Sequence, residues 1–151
     1  MIRPAQPADR PAIEAVVRAA YAIYVERIGG PPGPMLDDYA ALIADGVVSV
    51  FEDADDTIAA IIVLVPKAGY LLLENIAVRP DRQARGLGRT LVGFAETEAR
   101  RLGLAELRLY THQKMTENIA LYVRLGFGET GRGHDAGYDR VFMRKPVAYF
   151  P

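Results

Sequence analysis

The 151-residue chain contains no cysteine. Disulfides, Cys-ligated zinc and thiol catalysis are therefore excluded. Histidine is scarce as well. Only His112 and His134 occur, so no metal site is expected and a Ser-His-Asp triad has few ways to form. Uninterrupted apolar runs stay well short of the roughly eighteen residues of a membrane span. The N-terminal stretch carries Asp9, Arg10 and Glu14 where a secretion signal needs an apolar core. A cytoplasmic protein with no membrane partner is expected. Nor is there a surplus of either charge: eighteen Lys plus Arg face nineteen Asp plus Glu, a net charge of −1. That balance argues against a nucleic-acid partner, which calls for a broad basic face. Any anion must be held by a local cluster.

Half of the residues are apolar and a quarter are charged, a globular composition. The length suits one domain, 1–151, burying about two-thirds of its unfolded surface. No repeat or linker divides it, and the Gly29–Pro34 run reads as a stiff internal loop. A short strand at Ile2-Arg3 precedes a helix that Asp9 can cap, with Pro11 in its first turn and Ile13, Val16, Val17, Ala20, Tyr21 and Tyr24 on one face. Leu36–Ala44 reads as a second helix, ended by Gly46. Val47–Phe51 and Thr57–Val65 form a hairpin, and Tyr70–Val78 is a strand apolar on both faces.

A helix follows with Leu87, Leu91, Phe94, Ala95, Ala99 and Leu102 on one side, Glu96 four before Arg100, and Gly103 at its end. Leu104–Tyr110 is the next strand, and a helix from Thr116 or Glu117 runs to Leu125. Phe127–Thr130 and Tyr138–Arg144 close the chain as a strand pair. The strand–helix–strand unit at 70–110 requires a parallel crossover, whereas the hairpins are antiparallel. The expected fold class is α/β (α+β), a mixed sheet with helices on both faces.

The first functional signal is Gln83-Ala84-Arg85-Gly86-Leu87-Gly88, between a buried strand and a helix. A helix N-terminus exposes unpaired N–H groups and carries about half a unit of positive charge, so it suits a phosphate. Arg79, Arg82, Arg85 and Arg89 crowd the same segment. A diphosphate fits, although a plain glycine turn with solvated arginines also fits. The dinucleotide fingerprint fails at Leu91, and Gly88-Arg89-Thr90 puts Arg where a P-loop needs Lys.

Three segments in order carry a resemblance: Asn75-Ile76-Ala77-Val78-Arg79-Pro80, the Gln83–Gly88 loop, and Asn118-Ile119-Ala120-Leu121-Tyr122 with Leu125-Gly126-Phe127. Together they resemble motifs A and B of the GNAT superfamily of N-acetyltransferases, strongly from about 57 to 130 and more loosely before 50. The resemblance implies a mixed, mostly antiparallel sheet of six to seven strands flanked by four helices, with splayed central parallel strands. It implies acetyl-CoA as the acyl donor and no metal. Ile76, Ala77 and Val78 would pair with the pantetheine amides as an added strand. The N–H groups from Arg85 through Gly86, Leu87 and Gly88 to Arg89, with Gln83 of the motif, would hold the diphosphate. Asn118 would orient the cofactor arm. Tyr122 matches the tyrosine that protonates the departing thiolate, a step suited to a phenol near pKa 10 facing a thiol near 8.5. Packing beside Leu121 and Leu125 is its bland alternative.

Glu74 is the only acid in Tyr70–Ile76. Alternation puts it with Leu72 and Ile76, opposite Asn75 and Ala77. A carboxylate there is costly unless paired, solvated or used. In several members of the resembled family, which does not fix its base position, a glutamate on this strand serves as general base, directly or through water, and partial burial would raise the Glu74 pKa toward a useful range. A structural acid bonded to Arg or backbone is the competing reading. His112, after the Leu104–Tyr110 strand, is a candidate base or substrate contact, whereas His134 reads as a turn residue. The resemblance gives the first two helices and the loop between them to the acceptor, where Tyr21, Tyr24, Arg27, Met35 and Tyr39 lie. Either Tyr21 and Tyr24 are core packing, or the aromatics line a mouth in which Arg27 meets a carboxylate on the acceptor. Tyr138-Asp139-Arg140 is a further candidate lining.

The leading function is an N-acetyltransferase moving an acetyl group to a primary amine, on a small molecule or peptide, by direct attack in a ternary complex. Transfer of another acyl group and a silent acyl-CoA sensor are the alternatives, with a dinucleotide-binding protein more distant. A homodimer agrees with the resemblance; the residues do not decide it.

Overall fold

The computed structural model describes residues 1–148. Seven strands and four α-helices follow one another as β1 (Ile2–Pro4), α1 (Arg10–Ile28), α2 (Tyr39–Ala44), β2 (Val48–Glu52), β3 (Ile58–Pro66), β4 (Leu71–Val78), α3 (Leu87–Arg101), β5 (Glu106–His112), α4 (Thr116–Arg124), β6 (Gly128–Asp135) and β7 (Tyr138–Pro146). The sheet order is β1-β2-β3-β4-β5-β7-β6. β1–β2, β2–β3, β5–β7 and β6–β7 are antiparallel, and β4–β5 is parallel. This is the mixed, mostly antiparallel sheet expected.

The chain packs as two compact units, and the divisions between them fall inside β3, β4 and α3. The first holds Met1–Leu64 and Asn75–Leu91. Its core is Ile13, Val16, Val17, Tyr21 and Tyr24 of α1 with Val48, Val50 and the run Ile58–Leu64. All seven residues of that run are buried, as a strand covered on both faces requires. Ile61 and Ile62 are fully buried, and truncating either to Ala costs about 2–5 kcal/mol.

The second unit holds Val65–Glu74 and the chain from Val92 onward. Leu71, Leu73, Val92, Ala95, Ala99, Leu107, Leu109, Val141 and Met143 are buried there. Lys145 is one of its polar ties: its ammonium donates to Glu96 at 3.1 Å and to the Leu125 carbonyl at 2.7 Å. It thereby satisfies a carbonyl at the C-terminal end of α4, where a cation is favoured.

Several local expectations need correction. Asp9 does not cap α1. Pro7–Asp9 form a 3₁₀ turn, so Asp9 is already helical, and its carboxylate instead accepts from the Gln6 amide and pairs with Arg3. The second helix starts at Tyr39, not Leu36. Gly33–Leu36 is a separate 3₁₀ turn, and extended Asp38 caps α2 by accepting from the Ala41 amide at 3.1 Å. Leu102 is 40% exposed, and Val92 takes the buried place. Glu96 pairs with Lys145 rather than Arg100. β5 begins at Glu106 because Leu104 is consumed in closing α3, its amide donating back to Ala99 at 2.8 Å. The last two strands are longer than expected. They place His134 within β6 opposite Asp139, not in a turn.

Candidate active site

In the first unit, the chain leaves β4, makes a 3₁₀ turn at Pro80–Arg82 and enters α3 at Leu87. The first intrahelical bond runs from the Thr90 amide to the Gly86 carbonyl at 3.1 Å. The amides of Leu87, Gly88 and Arg89 therefore precede any helical acceptor. Gly86 has φ +77°, and a Cβ added there would meet nothing within 4 Å. The backbone turns in a conformation that favours glycine, with open space above it. The four arginines are not equivalent. Asp81 accepts from Arg79 at 2.8 Å and from Arg82 at 2.9 Å, and Arg82 also donates to Asp53 at 2.6 Å. Among the described residues Arg85 and Arg89 carry no ion pair and are exposed. Two charges brace the loop, and two face outward. Gln83 closes it by donating to the Val78 carbonyl at 3.2 Å.

In β4, Leu71, Leu73, Asn75 and Ala77 are buried and Leu72, Glu74 and Val78 half-buried, while Ile76, which alternation puts on the face of Glu74, is buried as well. Among the described residues the Glu74 carboxylate has no hydrogen bond or ion pair. A structural acid tied to Arg or backbone is thus not what the geometry shows. Asn75, which sequence reasoning left without a role, is 2% exposed. It accepts from Tyr21 Oη at 2.6 Å and donates to Tyr39 Oη at 3.0 Å, and Tyr39 in turn donates to the Pro34 carbonyl at 2.5 Å. The available signal was a lone Asn in an apolar strand, because a buried amide demands partners. The Arg79 amide donates to the Ala59 carbonyl of β3. By alternation Ala77 also faces β3, and the backbone groups of Ile76 and Val78 face the other way.

In the second unit, Tyr122 is buried on α4 and meets Phe127 edge to face, with ring centroids 5.5 Å apart. The Leu125-Gly126-Phe127 motif explains the contact. Gly126 has φ +99°, and the Phe127 amide returns to the Tyr122 carbonyl at 3.0 Å. This closing turn packs the residue after the glycine against the helix. Asn118 lies one turn before Tyr122, half-buried, with no side-chain hydrogen bond among the described residues.

His112 is the last residue of β5, paired with Arg140, rather than a loop residue beyond the strand. Its Nδ1 accepts from the Lys114 amide at 3.1 Å, and its ring meets Tyr138 edge to face. Burial first, and the nearby Lys114 cation, hold its pKa below the usual histidine range against the opposing pull of Asp139. The neutral ring therefore carries its proton on Nε2. In that form His112 is a hydrogen-bond donor, and using Nδ1 as a base would break the Lys114 bond. Arg140 lies over the Tyr110 ring at 4.2 Å and donates to Asp135 at 2.8 Å.

Of the acceptor-side candidates, Tyr24 and Tyr39 are buried, Met35 is half-buried and Arg27 is exposed. Arg27 stacks over Tyr24 at 5.2 Å. The burial of Tyr24 and Tyr39 is what core packing requires.

Comparison with known proteins gives this fold and its glycine-led helix the class of an acetyltransferase. The model of the Acetyltransferase (GNAT) family matches residues 14–127, and the chain belongs to that family. It is 36% identical over 104 residues to a [ribosomal protein bS18]-alanine N-acetyltransferase of Salmonella typhimurium, covering 63% of this chain and 68% of the relative. The crystal structure of the Escherichia coli ribosomal-protein-S18-alanine N-acetyltransferase superposes with a TM-score of 0.77 at 25% identity, covering 100% of this chain and 96% of that one. A Thermoplasma acidophilum N-acetyltransferase solved with coenzyme A shares the fold, with a TM-score of 0.75 at 21% identity over 97% of this chain and 98% of that one.

Proposed function

We propose that this chain is an acetyl-CoA-dependent N-acetyltransferase acting on a primary amine by direct attack in a ternary complex. The observation that carries the reading is the anion cradle before α3, where three amides lead the helix, space is open over Gly86, and Arg85 and Arg89 are uncommitted. Gln83 and residues Arg85 to Arg89 hold the diphosphate. Ile76 and Val78 offer backbone groups to the pantetheine arm, with Ala77 holding the strand to β3, and Asn118 orients the arm. The family match spans residues of both units, which supports reading 1–151 as one catalytic domain.

Bound acetyl-CoA would supply a thioester carbonyl open to attack and a thiolate to leave. An amine of pKa near 10.4 is neutral in only about one molecule in a few thousand at pH 7, and only that form attacks. Glu74 accepts the ammonium proton, directly or through water, and passes it to solvent. Tyr122 gives its phenolic proton to the departing sulfur, and the second proton shed by the acylated nitrogen returns to it through solvent. With no cysteine in the chain, no thiol is available to carry a covalent acetyl group.

The acceptor is an amine on a small molecule or peptide, met by Arg27, Met35 and the Nε2 proton of His112, with Tyr24 and Tyr39 as the supporting wall. No helix among the described residues is long and apolar enough to cross a membrane, which supports a cytoplasmic setting. Calorimetry with CoA tests the cradle. Arg85→Ala/Arg89→Ala should weaken binding roughly three- to tenfold, as loss of partly exposed charged contacts implies. Unchanged affinity would reject the cradle.

A further inference from the structure

Asn75 is an expensive residue where it stands. The other inward-facing residues of β4 are Leu71, Leu73 and Ala77, and an amide among them is tolerated only when its polar atoms are satisfied. The Asn75–Tyr39–Pro34 chain meets that need and also fixes a direction. The Pro34 carbonyl can only accept, so Tyr39 donates to it. Asn75 then presents Nδ2 to Tyr39 and Oδ1 to Tyr21, and Tyr21 must donate. The single Tyr21 proton finds two acceptors, Asn75 Oδ1 at 2.6 Å and the Ile76 carbonyl at 3.0 Å. Packing and satisfaction of Asn75 account for the first contact. The second, to a main-chain oxygen on the side of β4 turned away from β3, they do not require.

We infer that Tyr21 is a positioning residue for the acyl donor: anchored by Asn75, its hydroxyl holds the Ile76 carbonyl in the direction from which β4 receives the pantetheine amides. This rests on the reading of β4 as the donor-binding strand given above. A carbonyl oxygen has two lone pairs. A contact from Tyr21 on one leaves the other for a ligand N–H, while limiting rotation of the peptide plane. Such prior ordering removes part of the entropy cost of binding.

The hydroxyl is separable from the ring, which packs against Tyr24 with centroids 6.3 Å apart. Tyr21→Phe keeps that packing. Val17→Ala, one turn earlier on the same buried face, removes packing but no hydrogen bond and supplies a stability control. Each variant is melted without ligand and titrated with CoA by calorimetry. Both should melt below the wild type. Tyr21→Phe should also weaken CoA about three- to tenfold, the range of one hydrogen bond, while Val17→Ala binds within about twofold of wild type. Equal affinity in the two variants, or tighter binding by Tyr21→Phe, overturns the inference alone. No heat from the folded wild-type chain overturns the donor-binding reading and this inference with it.

Discussion

At the scale of single residues, the chemistry separates into groups that give protons, groups that take them and groups that hold others still. Tyr122→Phe should lower kcat about 10²-fold, the usual worth of a placed acid, with CoA affinity within about twofold by calorimetry. Glu74→Gln should lower the rate and flatten its pH profile. Unchanged kinetics in steady-state assays would remove Glu74 from the mechanism. The sequence marked Tyr122, Asn118 and Glu74 because each stands in a local pattern, a motif or an acid in an apolar strand. It could not rank the four arginines, since the partners that neutralise Arg82 include Asp53, 29 residues away. The Tyr21–Asn75–Tyr39 tie was hidden for the same reason: its members lie 54 and 36 residues apart.

At the scale of elements, boundaries are set by what happens in the last turn. Gly126 closes α4 at φ +99°, and a Cβ there would stand 3.0 Å from Lys145 Cε. Gly126→Ala should therefore cost about 1–2 kcal/mol from the backbone alone, and more if Lys145 releases Glu96. A drop in thermal melting temperature with reduced kcat, because Phe127 then shifts against Tyr122, is the expected result. The β6–β7 hairpin has a two-residue turn in which Ala136 has φ +51° and Gly137 φ +84°. Such turns favour Asn before Gly, so Ala136→Asn should raise the melting temperature, a gain readable by calorimetry. The type and order of the elements were legible from periodicity and the glycine stops. Their edges were less so. α2 lost Leu36, Asp37 and Asp38 because Asp38 serves as its cap, and β5 slid two residues later because Leu104 belongs to the close of α3.

At the scale of the whole molecule, acid should destabilise the fold in two stages. His112 titrates below the ordinary histidine range when folded. The unfolded chain therefore binds its proton first, and stability should begin to fall as pH drops below about 6.5. Asp9, Glu52 and Glu106 are held low by Arg3, by Arg3 and by Arg144 with Arg108, respectively. Their contribution is present above the ordinary carboxylate range and is lost as pH falls through it and below. Melting curves from pH 8 to 3 should show a shallow decline and then a steep one, and a maximum near pH 4 would contradict this. The GNAT fold was readable across both units because three short motifs fix the strand–loop–helix geometry, whereas the acceptor depends on side chains no motif specifies. The most direct test of the account is thiol release from acetyl-CoA with a panel of primary amines, followed by mass spectrometry of amine and protein. The account predicts amine-dependent release, with the acetyl group on the amine and none retained on the chain. A folded protein that binds CoA yet releases no thiol with any amine would contradict it.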